Sequence, residues 1–247
     1  MKHDKTRIIF GAILLSLSIV FYIAHYLIFR DPHHLFIFML GDMAFAFVEV
    51  LIVTLIIHEV LNYRDKQSAM NKMNMVIGTF FSEAGSPLLK TCASLDENAG
   101  AISASLLSVQ DWNKSSFRQK QKEVLNYEYR LQCPPEQLES LKVFLSSKRP
   151  FLINLLQNPN LLEHETFTNL LWAIFHLADE LEHRTDFQSL SEADQRHLTN
   201  DLKRAYGLLI TEWLSYVNHL RESYPYLFSL AVRTNPFNPA ASAMIKD

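Results

Sequence analysis

Residues Leu35–Leu61 read LFIFMLGDMAFAFVEVLIVTLIIHEVL, and this stretch decides the fold. At about 1.5 Å per residue such a helix is on the order of 40 Å long, enough to span a hydrocarbon core of roughly 30 Å with some tilt. Two acids, Asp42 and Glu49, interrupt its apolar body one heptad apart, and His58-Glu59 closes it. A carboxylate at mid-bilayer costs at least ~2.5–3.5 kcal/mol, so each needs a partner, a proton or water.

A second apolar run, Ile8 to Phe29, lies upstream behind the basic start MKHDKTR. It is too long for a cleaved signal core, no small-x-small cleavage site follows it, and another apolar run comes almost at once. The two runs therefore read as retained membrane helices at about 8–29 and 35–61. Lys2, Lys5 and Arg7 precede the first, and Arg64, Lys66 and Lys72 follow the second. Positive charge on both outer flanks predicts a tight hairpin in the inner (plasma) membrane, with both termini cytoplasmic and Pro32 in the short external turn.

The rest has the composition of a water-exposed helical protein. Net charge is −3 and no basic run points to nucleic acid. Glycine is scarce, at 6 residues, which favours helices over turn-rich β structure. Cys92 and Cys133 form no CxxC pair, so neither a disulfide framework nor a thiolate zinc site is expected. The fold class is thus all-α: a transmembrane hairpin over 1–63, a cytoplasmic helical bundle over 64–233, and an irregular tail over 234–247.

Within the bundle, Met70, Met73, Ile77, Phe80, Ala84 and Leu88 recur at helical spacing, so the second membrane helix is expected to run on past Arg64. Gly78, Ser82 and Gly85 make a small-residue stripe beside that face, and Pro87 predicts a break. Residues 94–114 are richer in Ser, Asn and Asp and read as less regular. Helices are expected at about 115–130, from Pro134 to Ser146, briefly after Pro150, and from about Glu163 to Arg184. Ser191 is a predicted N-cap for a long helix reaching about Glu222, and Pro225 opens a last short one.

Seven residues leave Asp42 and Glu49 on one helix face with the small Ala46 between them. On the first helix Gly11, Ser18 and His25 also recur at seven, with Tyr22 beside them. A hairpin closed at 30–34 brings these polar stripes to matching depths. The plainer account is packing glue, since polar groups between membrane helices hydrogen-bond for about 1 kcal/mol or less. The sharper one is a homo-oligomer in which Asp42 and Glu49 form stacked acidic rings that pass cations or protons. The Met70–Leu88 segment would extend that association below the membrane. In layout this resembles the mitochondrial calcium uniporter family, which also has a two-helix hairpin with acids in its second helix. That family's WDxxEP signature is absent here, where Leu40-Gly41-Asp42-Met43 stands and the second acid comes seven residues on.

The other candidate site lies in TFTNLLWAIFHLADELEHR, Thr166–Arg184. Phe167, Leu170, Leu171, Ile174, Leu177, Ala178 and Leu181 form its apolar face. His176, Glu180 and His183 stand at i, i+4 and i+7 on another face, and Glu-x-x-His is the spacing of carboxylate-bridged metal sites in helical bundles. A full set of that kind needs a second such pair; Glu83, Glu163, Glu212 and His219 are the partial candidates. The competing account is a solvated stripe with a Glu180–Arg184 ion pair. No GxGxxG, P-loop, GxSxG or HExxH motif supports an enzyme. The sequence leaves a cation- or proton-conducting assembly, a membrane-anchored scaffold or sensor, and a metal-binding bundle as readings, with the bilayer, a second copy of the chain and a cation as partners.

Overall fold

The computed structural model describes residues 2–159, 161 and 164–244, and these are mostly helical with no strand. The chain divides into two compact units, residues 1–65 and 66–247.

The first unit holds α1 (Lys2–Phe29) and most of α2, which runs Pro32–Phe80. The turn between them is built at two residues. Arg30 takes a left-handed backbone with φ 49°, and the Asp31 carboxylate accepts the free amides of His33 and His34 at the start of α2. Ile8–Phe29 and the stretch from Pro32 are long and apolar enough to cross a membrane by length and composition. Among the described side chains of residues 6–61, only Ala24, His25, Leu35 and Met39 are half-buried, all close to the turn, and the rest are exposed.

The second unit begins inside α2, where Met73, Ile77 and Phe80 are buried. The helix then passes through one π-helical turn, Phe81–Gly85, into α3 (Ser86–Leu95). The expected irregularity at Pro87 is the π-helical turn just before it, which accommodates the proline ring and its missing N–H in a helix that otherwise continues. From Met73 to Leu88 the apolar stripe of this segment packs within the chain's own core. At Gly78 a Cβ would stand 3.2 Å from the Tyr216 hydroxyl, so a side chain, not another backbone, approaches the small-residue stripe there.

Residues 94–114 are more regular than expected. They contain α4 (Ala99–Leu107), held by buried Ile102 and Leu106. Next comes α5 (Lys114–Leu125), capped by Asn113. It ends sooner than expected, because Tyr127–Leu131 turns extended and Leu131 pairs with Asp96. The two helices expected around Pro150 are one, α6 (Pro135–Leu156), with Pro150 inside. An internal proline removes one hydrogen bond, for roughly 3 kcal/mol. Burial of Leu138, Leu141, Leu145, Leu152 and Leu155 along α6 outweighs this at about 1.5–3 kcal/mol for each side chain.

At the centre lie α7 (Glu165–Glu182) and α8 (Glu192–Ser223), packed on one another, with α6 against α7 and with α3, α5 and α9 (Pro225–Arg233) against α8. Every residue of the predicted apolar face of α7 is buried. Ser191 caps α8 by accepting the Asp194 amide at 3.2 Å.

Gly85 in the π-helical turn gives the sharpest packing test. A Cβ there would lie 2.6 Å from Phe81 and 2.7 Å from Phe80, both buried rings. Gly85→Ala is expected to destabilise by ~1–3 kcal/mol through overpacking. Thermal unfolding followed by circular dichroism should show a midpoint several degrees lower.

Candidate metal centre

The polar face of α7 meets a matching face on α8. His176 and Glu180 stand one turn apart on α7, and His197 and Asp201 one turn apart on α8. The chain reverses between the helices, so His176 meets Asp201 and Glu180 meets His197. The His176 Nε2 atom is 3.2 Å from Asp201 Oδ2, and His197 Nε2 is 3.4 Å from the same oxygen. His197 Nε2 lies 3.5 Å from Glu180 Oε2, and His176 Nε2 lies 4.0 Å from Glu180 Oε1. Donor atoms of His176, Glu180 and His197 all fall within 4.8 Å of one another.

These separations can be compared with a bound ion. Donors about 2.0–2.1 Å from a tetrahedral metal stand roughly 3.3–3.4 Å apart. The alternative is a pair of imidazoliums salt-bridged to Asp201. Both nitrogens are within ion-pair distance of Asp201 Oδ2, though neither is aligned for a hydrogen bond to it. That oxygen is buried without a hydrogen-bond partner, and Asp201 is only 3% exposed. A buried carboxylate oxygen left so is costly. Donors of three residues around it are close enough together that they could hold a cation.

Arg184 aligns the two halves. It follows α7 and donates Nη1 to Glu180 Oε2 at 2.7 Å and Nε to Asp194 Oδ2 at 3.0 Å in the first turn of α8. These bonds hold the Glu180 and Asp194 carboxyls below their usual range, and the two carboxylates in turn hold the guanidinium above its own. One arginine thus ties the end of α7 to the start of α8, which sets the register bringing 176–180 against 197–201. The Arg204 Nη2 atom lies 3.5 Å from Asp201 Oδ1 on the far side.

His176 and Glu180 are therefore brought together, while His183 is not part of the group. Its Nδ1 sits 2.7 Å from the Asp179 carbonyl, on an exposed edge of α7. Of the partial candidates, Glu83 pairs with Lys148 at 3.1 Å. Glu212 is buried and bonded by Thr166. His219 lines a separate groove of about 570 Å³ with Tyr216 and Tyr224. Glu163 lies outside the described residues. Burial pushes the Cys92 thiol up and the Cys133 thiol up to about 12, so neither supplies a thiolate at neutral pH.

In the first unit, Ser18, Tyr22, His25 and Asp42 line one cleft of about 770 Å³ near the turn. Glu49 is not among its lining residues and is exposed on α2.

Two family models match this chain. Residues 2–61 match one described as the N-terminal helical domain of MJ1433, and residues 69–233 match one described as its C-terminal helical domain. The chain belongs to the MJ1433 family. Uncharacterized protein MJ1433 from Methanocaldococcus jannaschii is 42% identical over 238 residues, which cover 96% of each chain. No solved structure matches.

In this MJ1433-family protein, Glu212 gives a pH-dependent test away from the candidate centre. Burial holds its carboxyl above the usual range, against weaker opposing pulls from Thr166 and His164. The folded state therefore prefers the neutral acid. The resulting penalty is absent below the unfolded pKa of about 4.3 and is complete once pH passes above the raised folded value. Glu212→Gln should raise the thermal midpoint by a few degrees at pH 8, and the gap should close towards pH 4. A midpoint difference that does not change with pH would contradict this.

Proposed function

We propose that this protein is a membrane-anchored metal-binding protein. Its helical domain takes one divalent ion between α7 and α8, through His176, His197, Asp201 and Glu180. The carrying observation is the convergence of two imidazole nitrogens on the buried Asp201 Oδ2, at 3.2 and 3.4 Å, with no hydrogen bond made to that oxygen. Two imidazoles and two carboxylates suit a first-row ion such as Zn(II) or Fe(II), whereas calcium and magnesium take mainly oxygen ligands. The anchoring role rests on α1 and the first part of α2, whose exposed apolar surface far exceeds what a monomer keeps in water. The basic flanks support a topology with both termini and the helical domain on the cytoplasmic side.

Elemental analysis of purified full-length protein should find one ion per chain. His197→Ala and Asp201→Asn should lose it, and Arg184→Gln should weaken it about 10–100-fold by freeing Glu180. His183→Ala should leave it unchanged. Metal content that is substoichiometric, or equal in the His197→Ala protein, would contradict the reading.

The cleft around Ser18, Tyr22, His25 and Asp42 favours a second reading, in which copies of the hairpin associate and pass cations or protons. Asp42 and Glu49 then form acidic rings along the path, and the helical domain acts as gate or sensor. Flux into liposomes should be measured for wild type beside Asp42→Asn and Glu49→Gln at matched oligomeric state. A sharp change in both variants supports the path; equal flux in all three proteins removes it.

A further inference from the structure

We propose that the centre is a closed, four-coordinate zinc site tying α7 to α8, in which Arg184 and Arg204 limit Glu180 and Asp201 to one ligand oxygen each. This rests on the metal reading above and adds the ion's coordination number, its identity and the residues that select it.

The selection begins at the carboxylates. A carboxylate can give a metal one oxygen or both, and large oxygen-seeking ions reach their six to eight ligands partly through the second. Here the second oxygen is engaged elsewhere. Arg184 Nη1 holds Glu180 Oε2 at 2.7 Å, which leaves Oε1, the oxygen 4.0 Å from His176 Nε2. Arg204 Nη2 lies 3.5 Å from Asp201 Oδ1, and the other oxygen, Oδ2, is the one at 3.2 and 3.4 Å from the two imidazole nitrogens. Four residues therefore offer four donors, two nitrogens and two oxygens.

The spacing agrees with that number. Both distances from Asp201 to the histidines match the roughly 3.3–3.4 Å between donors on a tetrahedral ion, and Glu180 Oε1 has roughly half an ångström to close. Four protein donors around one ion are the mark of a structural zinc site. Magnesium and manganese favour six oxygen ligands, and this donor set falls short of that.

The two arginines are anchored differently. Arg184 is 17% exposed and is also held by Asp194, so it belongs to the contact between the helices. Arg204 is 62% exposed and reaches Asp201 from one turn along the same helix. Its removal frees Asp201 Oδ1 without touching the core, which makes it the cleaner probe.

The test uses the full-length protein in detergent, stripped of metal and loaded with Co(II), whose visible bands are intense when four-coordinate and weak when six-coordinate. Zn(II) and Mn(II) are then titrated against the cobalt signal. The expected result is one Co(II) per chain with intense bands that added azide does not move. Arg204→Ala should keep the stoichiometry, lose band intensity and narrow the preference for Zn(II) over Mn(II) about tenfold. Weak bands in the wild type, or bands that azide shifts, would overturn the closed four-coordinate site while leaving the metal reading intact. Wild-type bands and metal preference in Arg204→Ala would overturn the selecting role of that arginine. Failure of Co(II) to bind, or equal binding by the His176→Ala protein, would overturn both this proposal and the metal reading.

Discussion

The apolar faces of α7 and α8 pack on one another, and the candidate site exists because of that contact. Leu170, Leu171, Ile174, Leu177 and Leu181 leave water on one side, and Leu198, Leu202, Ala205 and Leu209 on the other. At about 1.5–3 kcal/mol per large buried side chain, this burial far exceeds the few tenths contributed by a surface ion pair. The polar residues at the edge of the contact therefore have little say in whether the helices pack. They are held where the apolar face puts them. That is how a carboxylate such as Asp201 can be buried beside two imidazoles without an ordinary hydrogen bond to its inner oxygen. Arg184 adds the register that packing alone leaves loose, by bonding to Glu180 on one helix and Asp194 on the other.

The two units solve opposite solvation problems. Residues 66–247 bury a continuous core, with α8 packed on several neighbours. Residues 1–65 leave almost every large apolar side chain exposed. The few polar side chains of that unit that line a common cleft, Ser18, Tyr22, His25 and Asp42, lie towards the turn.

Much of this is legible in the sequence, because it depends on period and on local chemistry. The apolar face of α7, the Ser191 cap, the Pro225 start and the stripe from Met73 to Leu88 follow from spacing alone. Three features depend on tertiary context instead. Pro150 looks like a helix break, but the leucines on either side of it in α6 make one continuous buried face. The Ser- and Asn-rich stretch over 94–114 looks irregular, but Ile102 and Leu106 fold α4 onto the core. The metal reading starts from His176 and Glu180 and follows the same helix to His183, whereas the other donors near that pair come from the next helix. The signal is present in the chain: His197-x-x-x-Asp201 repeats the i,i+4 spacing of His176-x-x-x-Glu180. A search for Glu-x-x-His pairs passes over it, and only the antiparallel packing of α7 on α8 shows that the two pairs face each other.

The central claim is that an ion binds between those pairs, and the most direct measurement is X-ray absorption at the metal edge of the zinc-loaded protein. The account predicts an inner shell of nitrogen and oxygen at roughly 2.0–2.2 Å, with the outer-shell pattern of two imidazole rings. That pattern should fall to one ring in His197→Ala protein reloaded with excess zinc. A sulfur shell near roughly 2.3 Å, or a first shell without imidazole, would contradict it.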